Sequence, residues 1–298
     1  MCSEPIISFD GVISPIMPEL PHLSPIASEP LSVVLLARNQ AACLDALLAD
    51  WVTFLNGLDR DYELIVVDDG SADGSGELAE KLAANYRRVL VRRHERPLGD
   101  GAALRTALSV ARHPLLFYTL ADPHYRAADL SKLLRKRADP RKPELEIDCV
   151  HLLSASRGGG STPWPWRILG LFWRILCRVV FTQAPERLPG WLGWKRHAAT
   201  VLVRVLFGVR YRDVACPFRL LRRDIFARIP LQSDGSFVHV ELLAKANYLG
   251  LMMGEEVSLD AGRYPPLAKE MSRDEFHQLV ADARRVIRHP QFARRSFG

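Results

Sequence analysis

The residues best suited to chemistry stand where short apolar runs end. Asp68 and Asp69 close the run Glu63–Val67 and lead straight into Gly70 and Ser71, so two adjacent carboxylates meet a chain reversal. Carboxylates in such a place accept hydrogen bonds from a nucleobase and a ribose, while Gly and Ser let the chain turn. The same residues also suit a plain turn with solvated acids. Two further run ends carry polar groups: Ala37-Arg38-Asn39 after Leu31–Ala37, and Ala121-Asp122-Pro123-His124 after Leu115–Leu120.

These tips need a scaffold that brings them together. The three runs read as buried parallel strands. Between the first two, Leu44, Leu47, Leu48 and Trp51 recur at helical spacing within residues 42–58. Helical stretches over 74–86 and 102–111, separated by a weaker strand at Val89–Val91, lie between the second and third. Alternation of strand and helix implies an α/β fold with a mostly parallel sheet flanked by helices, and ligands collect at the carboxyl ends of such strands. After Asp213 the pattern predicts a strand near 218–221, a helix near 239–249, a strand near 252–259 and a terminal helix over 273–287.

The order and spacing of these segments resemble the family 2 glycosyltransferases, and most closely their polyprenyl-phosphate (dolichyl-phosphate) sugar transferases. In that family a strand ending in Asp-Asp-Gly-Ser precedes a Gly-x-Gly-Ala-Ala turn and a strand ending in an Asp-x-Asp type motif. The matching elements are Asp68–Ser71, Gly99-Asp100-Gly101-Ala102-Ala103 and Leu120-Ala121-Asp122. DVACPFRLLRRDIF, from Asp213 to Phe226, keeps the subgroup's Phe-Arg-Leu at Phe218, Arg219 and Leu220. Glu241 stands where the family has an acid on a helix, and Arg263 and Lys269 reproduce an Arg-x-x-x-x-x-Lys spacing. The resemblance covers roughly Leu31 to Lys269 and implies a GT-A nucleotide-diphospho-sugar transferase fold with a Rossmann-like sheet.

Its implications for the site are specific. Ala37, Asn39, Asp68, Asp69, Gly99, Gly101, Arg263 and Lys269 fall to the donor, with Lys269 on its diphosphate. Departure of a nucleoside diphosphate develops negative charge, which calls for a divalent cation and basic side chains. Asp122 is the implied metal ligand, with His124 where the subgroup often has Gln. A carboxylate with an imidazole favours Mn²⁺ over Mg²⁺. Arg219 joins Lys269 against the remaining phosphate charge. Arg157 matches an acceptor-phosphate arginine, with Arg196 as a second candidate. A phosphate acceptor is already anionic, so little is asked of a base; a sugar hydroxyl would need one, and Glu241 is the candidate. Asp122, Arg157, Arg219 and Glu241 thus form the expected catalytic set. Two departures stand out: Leu120 replaces the first acid of Asp-x-Asp, and Cys216-Pro217 replace Ser-Gly.

The middle of the chain differs in composition. Residues 161–212 hold nine Lys or Arg, one acid (Glu186) and five of six tryptophans. Arg167, Arg174 and Arg178 share one helical stripe beside Ile168, Leu171, Phe172, Ile175 and Val179, which suits a helix over 164–180 lying in a membrane interface. A helix docked on the sheet with its arginines in solvent is the competing reading. The expected organisation is a proline-rich leader over 1–30, a single domain over 31–270, and a terminal helix and tail over 271–298. The single domain comprises a donor half at 31–160, the basic insertion at 161–212 and an acceptor half at 213–270. Scattered cysteines without a Cys-x-x-Cys pair argue against zinc or a disulfide framework, and no apolar stretch is long enough to span a bilayer. Basic residues interleaved with aliphatic ones speak against nucleic-acid binding. The expectation is a cytoplasmic, peripherally membrane-associated transferase moving mannose or glucose from a GDP- or UDP-linked donor to a polyprenyl phosphate. A soluble or envelope glycan acceptor, or a degenerate nucleotide binder, are the alternatives.

Overall fold

The computed structural model describes residues 29–135, 152–157, 207–208, 211, 213–251, 253–259 and 273–292. Arg196, Arg263, Lys269 and the segment 164–180 lie outside these residues, as does the leader up to residue 28. Glu29, read from sequence as part of that leader, is buried and pairs with Arg222 at 3.0 Å. The packed domain therefore begins before Leu31.

The strands are β1 (Leu31–Ala37), β2 (Tyr62–Asp68), β3 (Val89–Arg93), β4 (Leu115–Leu120), β5 (Leu152–Arg157), β6 (Arg219–Arg222) and β7 (Met253–Leu259). Among the described residues the helices are α1 (Leu44–Asn56), α2 (Ser75–Ala83), α3 (Asp100–Val110), α4 (Ala127–Arg135), α5 (Ile225–Arg228), α6 (Val238–Tyr248) and α7 (Arg273–Arg288). One seven-stranded sheet runs β3-β2-β1-β4-β6-β5-β7. β1 pairs in parallel with β2 and β4, β2 with β3, and β5 with β7. Only β6 is reversed, lying antiparallel to both β4 and β5.

All seven residues of β1 are buried because helices cover both of its faces. Strand alternation sends Leu31, Val33 and Leu35 into one cluster with Leu44, Leu48, Trp51 and Leu55 of α1. Val34 and Leu36 enter the other with Ala103, Leu104 and Ala107 of α3 and Val238, Leu242 and Leu243 of α6. An aromatic chain, Trp51 to Phe117 at 5.6 Å and Phe117 to Phe218 at 4.6 Å, ties α1, β4 and the approach to β6 together. Each such aliphatic side chain contributes about 1.5–3 kcal/mol on burial. The result is a rigid sheet whose carboxyl edge presents the tips of β1, β2 and β4.

Candidate active site

Register sets the edge. Ala37 lies opposite Asp68, and Leu36 opposite Leu120, so residues 38–39, 69–71 and 121–124 emerge side by side. The first two loops are sewn together by short polar side chains. Asn39 adopts a left-handed conformation, φ 54°, which asparagine tolerates better than most residues. Its N–H donates to Ser71 Oγ at 2.8 Å, and its Oδ1 accepts from the Ala72 N–H at 3.0 Å. The Gln40 N–H donates to Ser75 Oγ, and the Ala41 N–H to Asp73 Oδ2. The Ser75 hydroxyl, which donates to Asp73 Oδ1, and then the Ala41 N–H hold the Asp73 carboxyl below its ordinary range. Cys43, at the start of α1, has its thiol pushed up by burial and then by the negative charges of Asp122 and Asp73.

The two adjacent aspartates do different work. Asp69, only 4% exposed, accepts the N–H of Leu98 at 2.9 Å and of Gly99 at 2.8 Å, and faces His94 Nδ1 at 2.8 Å. The His94 ring spans from there to Thr106 Oγ1 on α3, 2.8 Å from its other nitrogen. Asp69 thus fastens the 94–99 segment over the strand tips. Asp68, 1% exposed, accepts from the Ser71 hydroxyl through Oδ1, whereas its buried Oδ2 has no hydrogen-bond partner among the described residues. Arg93 Nε lies 3.8 Å from that oxygen, and its guanidinium also pairs with Glu77 at 2.6 Å. A Cβ on Gly76 would fall 2.2 Å from Arg93 Nε and 2.6 Å from Asp68 Oδ2, so this approach requires glycine.

The turn Gly99-Asp100-Gly101 opens α3. Gly99, at φ 101°, and Gly101 back directly onto Ser233 and Asp234: a Cβ at Gly101 would lie 2.1 Å from Ser233 O. The Gly101 and Ala102 N–H groups donate to the Asp234 carbonyl at 2.8 and 3.2 Å. Asp100 reaches His239 Nε2 at 3.4 Å, and the other nitrogen of that buried ring lies 3.3 Å from the Tyr118 hydroxyl. Burial foremost pushes the Tyr118 phenol up to about 12, against the lowering influence of Arg219.

At the tip of β4, Asp122 Oδ1 accepts the His124 N–H at 2.8 Å and contacts His124 Nδ1. Both side chains remain about one third exposed, 35% and 38%. Among the described residues no three His, Cys, Asp or Glu side chains gather around a common point where an ion would sit. A one-carboxylate, one-imidazole pair at an open strand tip fits a cation whose other ligands come from phosphate or water. Leu120 is partly buried and packs against both apolar clusters.

Glycosyl transferase family 2 matches residues 32–229, more than half of the chain. The chain belongs to this family. Among proteins similar to this family 2 member, a polyprenol monophosphomannose synthase of Mycolicibacterium smegmatis is 30% identical over 182 residues, 58% of this chain and 56% of that protein. An undecaprenyl-phosphate 4-deoxy-4-formamido-L-arabinose transferase of Aeromonas hydrophila is 33% identical over 215 residues, 70% of this chain and 54% of that one. The chain thus spans little more than half the length of these relatives. Glucosyl-3-phosphoglycerate synthase of Mycobacterium tuberculosis, solved with uridine diphosphate, shares the fold at TM-score 0.57 and 19% identity, covering 90% of this chain and 84% of the other. The sheet is that of the GT-A fold.

Against this family pattern, the structure brings Ala37, Asn39, Asp68, Asp69, Asp122 and His124 to one edge. It also brings the backbone of Arg157 there, because β5 runs in the same direction as β4. Two residues expected to touch substrate are interior instead. Arg219 is fully buried, and its guanidinium donates to the carbonyls of His239 and Val214, while its Nε has no hydrogen-bond partner among the described residues. Glu241 is also fully buried, with both oxygens accepting the N–H groups of Gln232 and Ser233 at 2.8 Å and Lys245 at 2.6 Å, so it has no route to act as a base. Gly99 and Gly101 border the site, but their N–H groups are held by Asp69 and Asp234 rather than offered to a ligand. The spacing Glu241-x-x-x-Lys245 is a helical ion-pair signature that identifies this pairing from sequence. Nothing local marks the 230–235 segment as the partner of the Gly99–Gly101 turn.

Proposed function

We propose that this protein is an inverting glycosyltransferase that moves a hexose from a nucleotide diphosphate sugar to a polyprenyl phosphate at a membrane surface. The observation that carries the donor half is the buried Asp68 Oδ2, which has Arg93 at 3.8 Å but no hydrogen bond among the described residues, beside the open Asp122–His124 pair on the shared edge of β1, β2 and β4. A buried acceptor without a partner is costly unless a ligand group fills it. A nucleoside N–H or hydroxyl supplies that donor, while Asn39 and Ser71 fix the loop around it.

Asp122 and His124 would hold the cation, Mn²⁺ in preference to Mg²⁺, and the bound ion would offset charge on the leaving diphosphate. Structures of the mycobacterial enzyme of the same fold contain Mn²⁺ together with UDP-glucose. The chain's own contribution is positioning: Asp69 and His94 hold the 94–99 segment, and the stitched loops at Asn39 and Asp73 fix the rim. With Glu241 buried, a base is best dispensed with, which favours an acceptor that is already an anion. Relatives named for polyprenol and undecaprenyl-phosphate chemistry support that acceptor, with Arg157 and Arg196 to meet its phosphate and Arg263 and Lys269 the donor's. Among the described residues no helix is long and apolar enough to cross a membrane. The basic, tryptophan-rich segment 164–180 would give peripheral attachment to the cytoplasmic face.

The test is calorimetric titration with GDP-mannose, UDP-glucose and UDP-GlcNAc, each in Mn²⁺ and in EDTA, followed by transfer of labelled sugar to undecaprenyl phosphate. Metal-dependent binding of one donor and labelled lipid are expected. No binding of any donor would overturn the reading and favour the degenerate binder that Leu120 suggests. Transfer to 3-phosphoglycerate but not to lipid would replace the acceptor.

A further inference from the structure

The family match ends at residue 229, and the six residues that follow are gripped from three helices at once. From α3, Arg105 donates to Ser233 O at 2.7 Å and pairs with Asp234. From α6, Glu241 accepts the Gln232 and Ser233 N–H groups, and Lys245 donates to Pro230 O at 2.6 Å. From α7, Asp282 Oδ2 accepts the Gly235 N–H at 3.0 Å, and Arg285 donates to Gln232 O at 3.1 Å. The Gln232 side chain is bound on both sides, donating to His289 O and accepting from the Gln291 N–H.

What this segment carries is the Asp234 carbonyl, which takes the Gly101 and Ala102 N–H groups at the start of α3. Gly99 and Gly101 press against the same backbone so closely that neither could bear a Cβ. The turn flanked by Asp69 on one side is therefore seated on Asp234 on the other. The Asp282 side chain is 2% exposed, so its bond to Gly235 is shielded from water.

We propose that Asp282 of the C-terminal helix is a positioning residue for nucleotide binding: by fixing Gly235 it sets the Asp234 carbonyl, and through it the Gly99–Gly101 turn. This rests on the reading that the turn borders the donor. On this reading Asp282 does not touch the donor; it acts through two backbone contacts.

The experiment compares Asp282→Leu, Asp282→Asn and the unaltered full chain, by amide hydrogen exchange and by titration with UDP and GDP in Mn²⁺. In Asp282→Leu the Gly101 and Ala102 amides should exchange about 10-fold faster and nucleotide affinity should fall about 3- to 10-fold, the range expected for one shielded hydrogen bond. Amides of β1 and β2 should keep their protection. Asp282→Asn retains an oxygen that accepts the Gly235 N–H and should restore both readouts. Unchanged Gly101 and Ala102 exchange in the Leu variant overturns the inference, as does faster exchange with unaltered nucleotide affinity or an equal loss of protection across the sheet. Failure of the unaltered protein to bind either nucleotide overturns the donor reading itself, and the inference with it.

Discussion

Asp69→Asn separates an anchoring aspartate from a ligand-binding one. The carboxylate accepts three hydrogen bonds in a site that is 4% exposed, two from backbone N–H groups and one from His94. Asparagine has the same shape but a single acceptor oxygen. With that oxygen toward Leu98 and His94, its amide N–H₂ faces the Gly99 N–H, donor against donor. The opposite orientation sets the N–H₂ against Leu98 and His94 and is worse. A hydrogen bond to a charged acceptor contributes about 1.5–3 kcal/mol, and the two that survive lose their charge assistance. A loss of about 2–4 kcal/mol follows, which with a urea m-value of about 3 kcal/mol/M moves the unfolding midpoint down by roughly 1 M. Urea denaturation followed by circular dichroism measures it, and hydrogen exchange should show Leu98 and Gly99 deprotected first. A midpoint within 0.3 M of the parent, roughly a quarter to a third of that shift, combined with weaker nucleotide binding, would refute the anchoring argument and return Asp69 to direct donor contact.

Asp122→Ala should leave stability within about 1 kcal/mol, because the side chain is one third exposed, yet abolish the Mn²⁺-dependent part of donor binding; calorimetry in Mn²⁺ and EDTA reads both states. Gly101→Ala drives a Cβ to 2.1 Å from Ser233 O, backbone against backbone, and should cost about 1–3 kcal/mol or more by thermal unfolding. Tyr118 should titrate near 12 rather than 10 by absorbance at alkaline pH. The folded chain holds that proton more tightly than the unfolded one, so its stabilising contribution is intact below pH 10. Between pH 10 and 12 it falls by about 1.4 kcal/mol per unit, and Tyr118→Phe should flatten the slope.

The fold was legible where burial writes itself into composition. β1, β2 and β4 are sheathed on both faces, so their residues are apolar without alternation and their ends are marked by the polar residues that follow. β5 was not legible: LLSASR is too short and too polar to stand out, and it is a strand because β6 and β7 flank it. The reach of the site was legible to the same degree. That Asp68, Asp122 and the Gly99–Gly101 turn belong together could be read from order and spacing, while what each touches depends on segments distant in sequence. Arg219 shows the difference. Its spacing suggested a phosphate partner, but β6 threads between β4 and β5, and an arginine in mid-sheet is fully enclosed.

A common logic connects the residues of this edge. A site for an anionic nucleotide collects carboxylates, glycines and arginines, and so does the scaffold that holds its loops, so residue type alone cannot divide ligand contacts from supports. Satisfaction divides them. Asp69 and Glu241 have both carboxylate oxygens engaged by backbone groups of other segments, Arg219 has its two terminal nitrogens so engaged, and the Gly99 and Gly101 N–H groups are taken by Asp69 and Asp234. Asp68 keeps a buried oxygen without a hydrogen bond, and the Asp122–His124 pair stays open to solvent. On the proposed reading, the carboxylates that fold the loops are complete without a ligand, whereas those that would bind one are incomplete until it arrives. Leu120 fits the same division. An alkyl side chain packed against both clusters strengthens the strand end and offers no ligand to a metal, so on the proposed reading cation and nucleotide would complete each other's site. Their binding would then be reciprocally linked, with the diphosphate supplying what the missing carboxylate would have.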